Sequence, residues 1–167
     1  MHESPDYAVL ELMKVNTVTA TLLTKRLLPY FLLRKNRSAV INVSSVNSIV
    51  AVKGYSYYNA SKSFLDMLAR TLQIQYQDKV DFLSVRHATV STRMSMYAET
   101  VDSLSVGDAV RGALSRLGSV DWTYGHWVHQ VYGPFYVMPV IGPKVFKATV
   151  DAIVKQVERK MKNSISV

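Results

Sequence analysis

The sequence contains no cysteine, which excludes disulfides and thiolate metal sites without choosing a compartment. Glycine is scarce too: the seven present are scattered and no G-x-G occurs, so the glycine-rich turn that brings a backbone up to a pyrophosphate is missing. No apolar run reaches the ~18 residues that a transmembrane helix needs. The nearest are LLPYFLL at 27–33 and VYGPFYVMPVIG at 131–142. Zinc spacings, RNP-like and helix-turn-helix patterns and basic-aromatic stripes are absent, so neither a metal nor nucleic acid is expected. Acidic residues are few, 12 against 20 Lys and Arg; the net charge of +8 and pI near 9.7 suit an anionic partner such as a phosphorylated cofactor, an acyl-CoA or lipid headgroups. The opening MHESPDY is acidic and polar, unlike a signal peptide or a basic presequence.

What is present is one domain's length, 167 residues, with 49% apolar residues to fill a core. Its organising stretch is SVNSIVAVKGYSYYNASK, Ser45 to Lys62. On a helix, Tyr58 and Lys62 share one face with the ammonium a turn beyond the phenol. A fixed cation there favours the phenolate and lowers the phenol from its ordinary pKa of ~10 towards acid/base work. Ser45 ends an apolar run and would deliver its hydroxyl to the same pocket. The spacing alone carries little, since about 0.7 Tyr-x-x-x-Lys matches arise by chance in this composition.

The setting carries more. AVINVSS, a loop and then YNASKSFLDMLARTL resemble the short-chain dehydrogenase/reductase family, whose NxSS strand end and YxASK helix hold the catalytic Ser, Tyr and Lys. The resemblance implies Ser45, Tyr58 and Lys62 as catalytic residues, with Tyr58 and Lys62 also on the cofactor ribose. It implies Asn16 as a fourth member, holding a water that relays protons from the lysine. Read without the family, Asn16 is an N-cap or helix-kink asparagine.

The rest of the chain reads in order. Residues 5–35 form a helix in two pieces joined near Asn16, kinked at Pro29, and apolar nearly all round from Val18 to Leu32, so it needs cover on more than one side. Ser38–Ser45 suits a strand buried on both faces, 46–54 a loop closed by Gly54, 55–77 a helix and 80–86 a second strand. Where the family has Pro-Gly and then a threonine for the nicotinamide carboxamide, this chain has His87, Ala88 and Thr92, so Thr92 is the expected cofactor contact. His87 is either an acid/base or a surface or capping residue. TVSTRMSMYAETVDSL stands in the place of a substrate lid, with Met94, Met96 and Tyr97 as an apolar wall, or is a loop whose methionines pack on the core. A helix over 106–117, a turn at Gly118 and a last strand near 124–129 follow.

AVRGALSRLG and TYGHWVHQV narrow the resemblance to very-long-chain 3-oxoacyl-CoA reductases and 17β-hydroxysteroid dehydrogenases, which implies NADPH and membrane association. Phe146, Val150, Ile153, Val157 and Met161 draw one apolar face on a final helix, and from Pro143 onward six Lys and Arg oppose two acids. Such a helix lies on an anionic membrane, docks on a partner or caps the core.

The expected fold class is therefore α/β: the second half of a Rossmann-like doubly wound fold, with three mostly parallel strands, flanking helices and a basic C-terminal helix. Residues 1–142 would be the truncated dehydrogenase domain and 143–167 the basic helix. Two functions follow. One is an accessory subunit of a larger, membrane-associated assembly at the mitochondrial inner membrane or endoplasmic reticulum, binding no cofactor alone. The other is the catalytic half of a split reductase that gains NADP(H) when a partner chain completes it. In either case other subunits would cover the edge of strand 38–44 and the helix over 16–33.

Overall fold

The computed structural model describes residues 4–138 and 141–165. Helix α1 (Asp6–Met13) runs through a π turn (Lys14–Val18) into α2 (Thr19–Leu33). The two-piece helix is thus joined where Asn16 stands, and the local cause is hydroxyl chemistry. Thr17 Oγ1 donates to the Met13 carbonyl (2.6 Å) and Thr19 Oγ1 to that of Lys14 (3.0 Å). The Thr19 amide also reaches back to Lys14, closing the wider ring of a π turn. Pro29 sits inside α2, which continues to Leu33.

Strand β1 (Ser38–Val43) pairs in parallel with β2 (Val80–Val85) in register from Ser38 opposite Val80 to Val43 opposite Val85. Helix α3 (Ser56–Tyr76) crosses between them, and β2 pairs in parallel with the two-residue β3 (Trp122–Thr123). The order β1-β2-β3 leaves β1 at an edge. The expectation that β1 is buried on both faces fails: Val43 is 60% exposed and Ala39 is exposed, because β1 is the edge strand and, on that face, Ile41 alone of its residues packs on the cluster of Leu83, Val85 and Ala113. Strand β2 is the buried one, as a central strand must be. Leu83 and Val85 pack on Ala113 of α4 (Val106–Leu114), while Ser84 and Arg86 face α3.

On that α3 face Asp66 is clamped. Arg86 Nε and Nη2 each reach a carboxylate oxygen at 2.8 Å, Ser84 Oγ donates at 2.6 Å, and the guanidinium lies 4.0 Å from the Trp122 ring centroid. Burial opposes ionisation of Asp66, but the hydrogen bonds from Arg86 and Ser84 and the charges of Arg86 and Arg70 outweigh it, so the carboxyl titrates below its ordinary range.

The strand expected near 124–129 is corrected: β3 ends at Thr123, and Trp127–Val137 is helix α5. Gly125 turns the chain with φ +80°, and the His126 side chain accepts from the Val128 amide (3.3 Å), capping the new helix. Buried His129, Gly133 and Tyr136 recur at helical spacing, which overrides the alternation of TYGHWVHQV. Gly133 lies against the Tyr124 ring, where an added Cβ would stand 2.6 Å from a ring carbon. Gly133→Ala is expected to cost ~1–3 kcal/mol by overpacking, read as a lower urea midpoint.

Helix α6 (Gly142–Ile165) returns along α5, with Tyr136 Oη 3.1 Å from Thr149 Oγ1. Tyr136 also donates to Asp102 (2.6 Å), whose carbonyl is 2.8 Å from His129 Nε2. Of the apolar face expected on this helix, Val150, Ile153 and Val157 are half-buried, while the side chains of Phe146 and Met161 lie outside the described residues.

Candidate active site

The site forms where β1 ends and α3 begins. Ser45 is extended (φ −159°, ψ 157°), and its side chain accepts from the Asn47 amide (3.2 Å), starting a short 3-10 turn over Val46–Ser48. Ser63 Oγ holds the Ser48 carbonyl (2.6 Å) and Asn59 Nδ2 holds that of Val50 (3.0 Å), so α3 fixes the loop in front of it. Ser44 Oγ donates to the Lys62 carbonyl (2.9 Å), and Lys62 Nζ donates to the Val43 carbonyl (3.0 Å). Strand end and helix are therefore stitched in both directions.

Within that frame the Ser45 hydroxyl hydrogen-bonds the Tyr58 phenol, and Lys62 Nζ stands 5.6 Å from the Tyr58 ring centroid. Asn16 Nδ2 donates to Ser61 Oγ (2.9 Å), which in turn donates to the Tyr58 carbonyl (2.8 Å). Ser45, Tyr58, Lys62 and Asn16 thus converge on one turn of helix. Ser61, fully buried, is the residue that sequence reading missed. The signal available was its place in YNASK, directly before Lys62.

The expected lowering of the phenol by Lys62 is not present in this chain. Burial pushes Tyr58 up, the Ser45 hydrogen bond offsets part of that, and Tyr55 adds to it. The reason is geometric: Lys62 is bound to the Val43 carbonyl and stands over the ring rather than at the phenol oxygen. Burial also lowers the Lys62 ammonium below its ordinary value.

Thr92 lies apart, in the loop after β2. Its amide donates to Ser95 Oγ (3.0 Å) and its carbonyl accepts from the Tyr97 amide (2.7 Å); no hydrogen bond joins it to Tyr58 or Lys62 among the described residues. Downstream, Met96 and Tyr97 adopt left-handed φ of 51° and 54°, which non-glycine residues rarely hold. Met94, Met96 and Tyr97 are exposed rather than packed on the core, and Gln156 of α6 tethers the segment by accepting from the Glu99 amide (2.9 Å). His87 is half-buried rather than a surface residue. Burial and the neighbouring His129 bring its pKa down to about 4, so it is neutral near pH 7.

This arrangement can donate a proton from Tyr58 to an oxygen held by the Ser45 hydroxyl. Towards a nicotinamide dinucleotide, the Tyr58 phenol and the Lys62 ammonium are donors of the kind a ribose takes. For the pyrophosphate the sequence offers no G-x-G turn.

Comparison with known proteins agrees with the geometry. The sequence profile described as short chain dehydrogenase matches residues 1–103. The very-long-chain 3-oxoacyl-CoA reductase of Mus musculus is 25% identical over 130 residues, 77% of this chain and 41% of the relative. The very-long-chain 3-oxoacyl-CoA reductase-A of Danio rerio is 28% identical over 134 residues, 79% of this chain and 41% of its own. Among solved structures, a 7beta-hydroxysteroid dehydrogenase superposes with TM-score 0.64 at 22% identity, covering 74% of this chain and 50% of that one. The NADPH-bound carbonyl reductase from chicken fatty liver gives 0.60 at 22% identity, covering 72% and 51%. The fold is that of the Rossmann-like dehydrogenases, and the chain belongs to the short chain dehydrogenase family. It spans about two fifths to a half of the length of the curated relatives it matches.

Proposed function

We propose that the chain acts as a short-chain dehydrogenase-like accessory subunit of a larger, membrane-associated assembly, at the mitochondrial inner membrane or endoplasmic reticulum, without binding cofactor by itself. The observation that carries this reading is the open side of the half-fold. The outer edge of β1 lies beside exposed Val43, and α2 buries none of its residues, leaving Leu22, Leu23, Leu27, Tyr30 and Leu33 exposed. A parallel edge strand without charge or proline and an apolar helix in water are surfaces that proteins ordinarily cover. A photo-crosslinker at Ala39 or Leu23 in the native assembly tests it. Capture of a subunit lacking a glycine-rich first half supports the accessory role, and a well-behaved monomer with both surfaces open to water overturns it.

The second reading is favoured by the convergence of Ser45, Tyr58, Lys62 and Asn16. In it the chain is the catalytic half of a split NADPH-dependent reductase for a 3-oxoacyl thioester or a ketosteroid. A partner would bring the phosphate and adenine half, and the crosslinked protein would carry a glycine-rich turn. The nicotinamide cofactor would supply the hydride. In this chain Tyr58 would protonate the carbonyl oxygen, Ser45 would hold that oxygen, Lys62 and Tyr58 would bind the ribose, and Thr92 would meet the carboxamide. Asn16, which donates to Ser61 next to Lys62 in the chain, would support proton supply.

Both readings expect no measurable NADPH binding by the isolated chain, because ribose contacts alone leave a charged pyrophosphate without its cradle. Calorimetric titration checks this, and micromolar affinity would refute it.

A further inference from the structure

We propose that α5 and α6 seat the chain on an anionic lipid bilayer, with α5 as the element that inserts. Helix α5 turns His129, Gly133 and Tyr136 into the fold. Its opposite face carries Trp127, Val131, Pro134 and Phe135, continued by Met138, all exposed, with Trp127 67% open to solvent. The segment from Trp127 to Met138, WVHQVYGPFYVM, has no Asp, Glu, Lys or Arg. Gln130, the polar side chain nearest that face, is engaged by Thr123 at 2.8 Å. An unbroken apolar face on a surface helix marks an interaction site.

The neighbouring helix points to lipid as the occupant. Residues 142–165 hold six Lys and Arg against two acids, and Lys144, Lys147, Lys155 and Arg159 are exposed, Lys147 also pairing with Asp151. Helix α6 is locked beside α5 by Val145, which packs on the cluster containing Tyr136, and by the Tyr136–Thr149 hydrogen bond. An apolar strip with indole and phenyl rings, held next to a cationic helix, matches the two layers of a bilayer surface: acyl boundary for the rings, phosphate headgroups for the ammonium groups. A second copy of the chain would instead bring two basic α6 helices together. No helix among the described residues is long and apolar enough to cross a membrane, so α5 lies in the plane of the interface.

This proposal gives the membrane association proposed above a surface and a lipid class. It rests on the outward face of α5 and on α6, and uses no residue of β1 or α2 and no part of Tyr58, so its failure leaves the subunit and reductase readings as they stand. The sequence has two tryptophans, and Trp122→Phe leaves Trp127 as the sole reporter. On the full chain, vesicles of phosphatidylcholine with phosphatidylserine are expected to shift Trp127 emission to the blue and to quench it when the acyl chains are brominated. Added salt should weaken binding. The double substitution Val131→Ser and Phe135→Ser, both on the open face, should lower vesicle affinity about tenfold or more with unchanged circular dichroism. Unshifted Trp127 emission on the anionic vesicles overturns the proposal. So does equal binding to pure phosphatidylcholine, or a dimer in solution whose Trp127 emission is already blue.

Discussion

Replacing Tyr58 by phenylalanine in the chain joined to a complementing first half is expected to lower turnover by about 10²–10⁴-fold, the usual worth of a positioned general acid. The ring and its place on α3 survive the change; what is lost is the proton donor and its hydrogen bond with Ser45. Thermal unfolding should move little while kcat falls, and turnover that persists unchanged would remove Tyr58 from the chemistry. Burial adds a direction to this expectation. It holds the phenol protonated at neutral pH, which suits donation to a carbonyl and works against the reverse oxidation, where the oxygen must accept. The reduction should therefore run at neutral pH with a phenol that titrates only above its ordinary ~10.

The largest stability effect is expected at Asp66. Asp66→Ala leaves the Arg86 guanidinium buried without its carboxylate, a change worth about 3–5 kcal/mol, read from urea unfolding. Exchanging both for apolar residues, Asp66→Leu with Arg86→Met, should cost less than the single change, since no uncompensated charge remains. Acidification acts on the same pair. The folded pKa of Asp66 lies below its unfolded value of ~3.9, so the contribution is present above that value and fades as pH falls through the folded one. A stability profile that is flat from pH 6 to the acid transition fits this sign, and a gain in stability on protonating Asp66 would contradict it.

Local pattern was enough to read the β1–α3–β2 unit, whereas the four residues that meet at its mouth came from the resemblance of AVINVSS and YNASK to the short-chain dehydrogenases. With Ser45 at the strand end and Tyr58 and Lys62 one turn apart on α3, the three meet at that mouth. Even the join at Asn16 was legible. The misreadings share a cause, which is that they depend on neighbours distant in sequence. TYGHWVHQV alternates like a strand, and only the inward packing of His129, Gly133 and Tyr136 decides for helix. The Asp66–Arg86 clamp joins residues twenty apart on different elements, where no periodicity reveals it. The direction of the Tyr58 shift follows from how deeply the phenol is covered and from Lys62 choosing the Val43 carbonyl as its partner. Neither is a property of a Tyr-x-x-x-Lys spacing.

The π turn over Lys14–Val18 has a consequence for how this helix tolerates insertion and deletion. A π turn is an α-helix carrying one surplus residue, and each residue of an α-helix rotates the chain by about 100°. The surplus residue sets the angular phase between α1, which lies against α3, and α2, which faces outward. Deleting a single residue there would yield a helix that is locally more regular, yet it would swing one arm a quarter-turn or more relative to the other. Asn16 would leave Ser61 in the process. The irregular turn is thus the element that keeps two helix faces pointing at different neighbours, and a gap in an aligned relative at these positions would signal a rewired contact rather than a neutral loss.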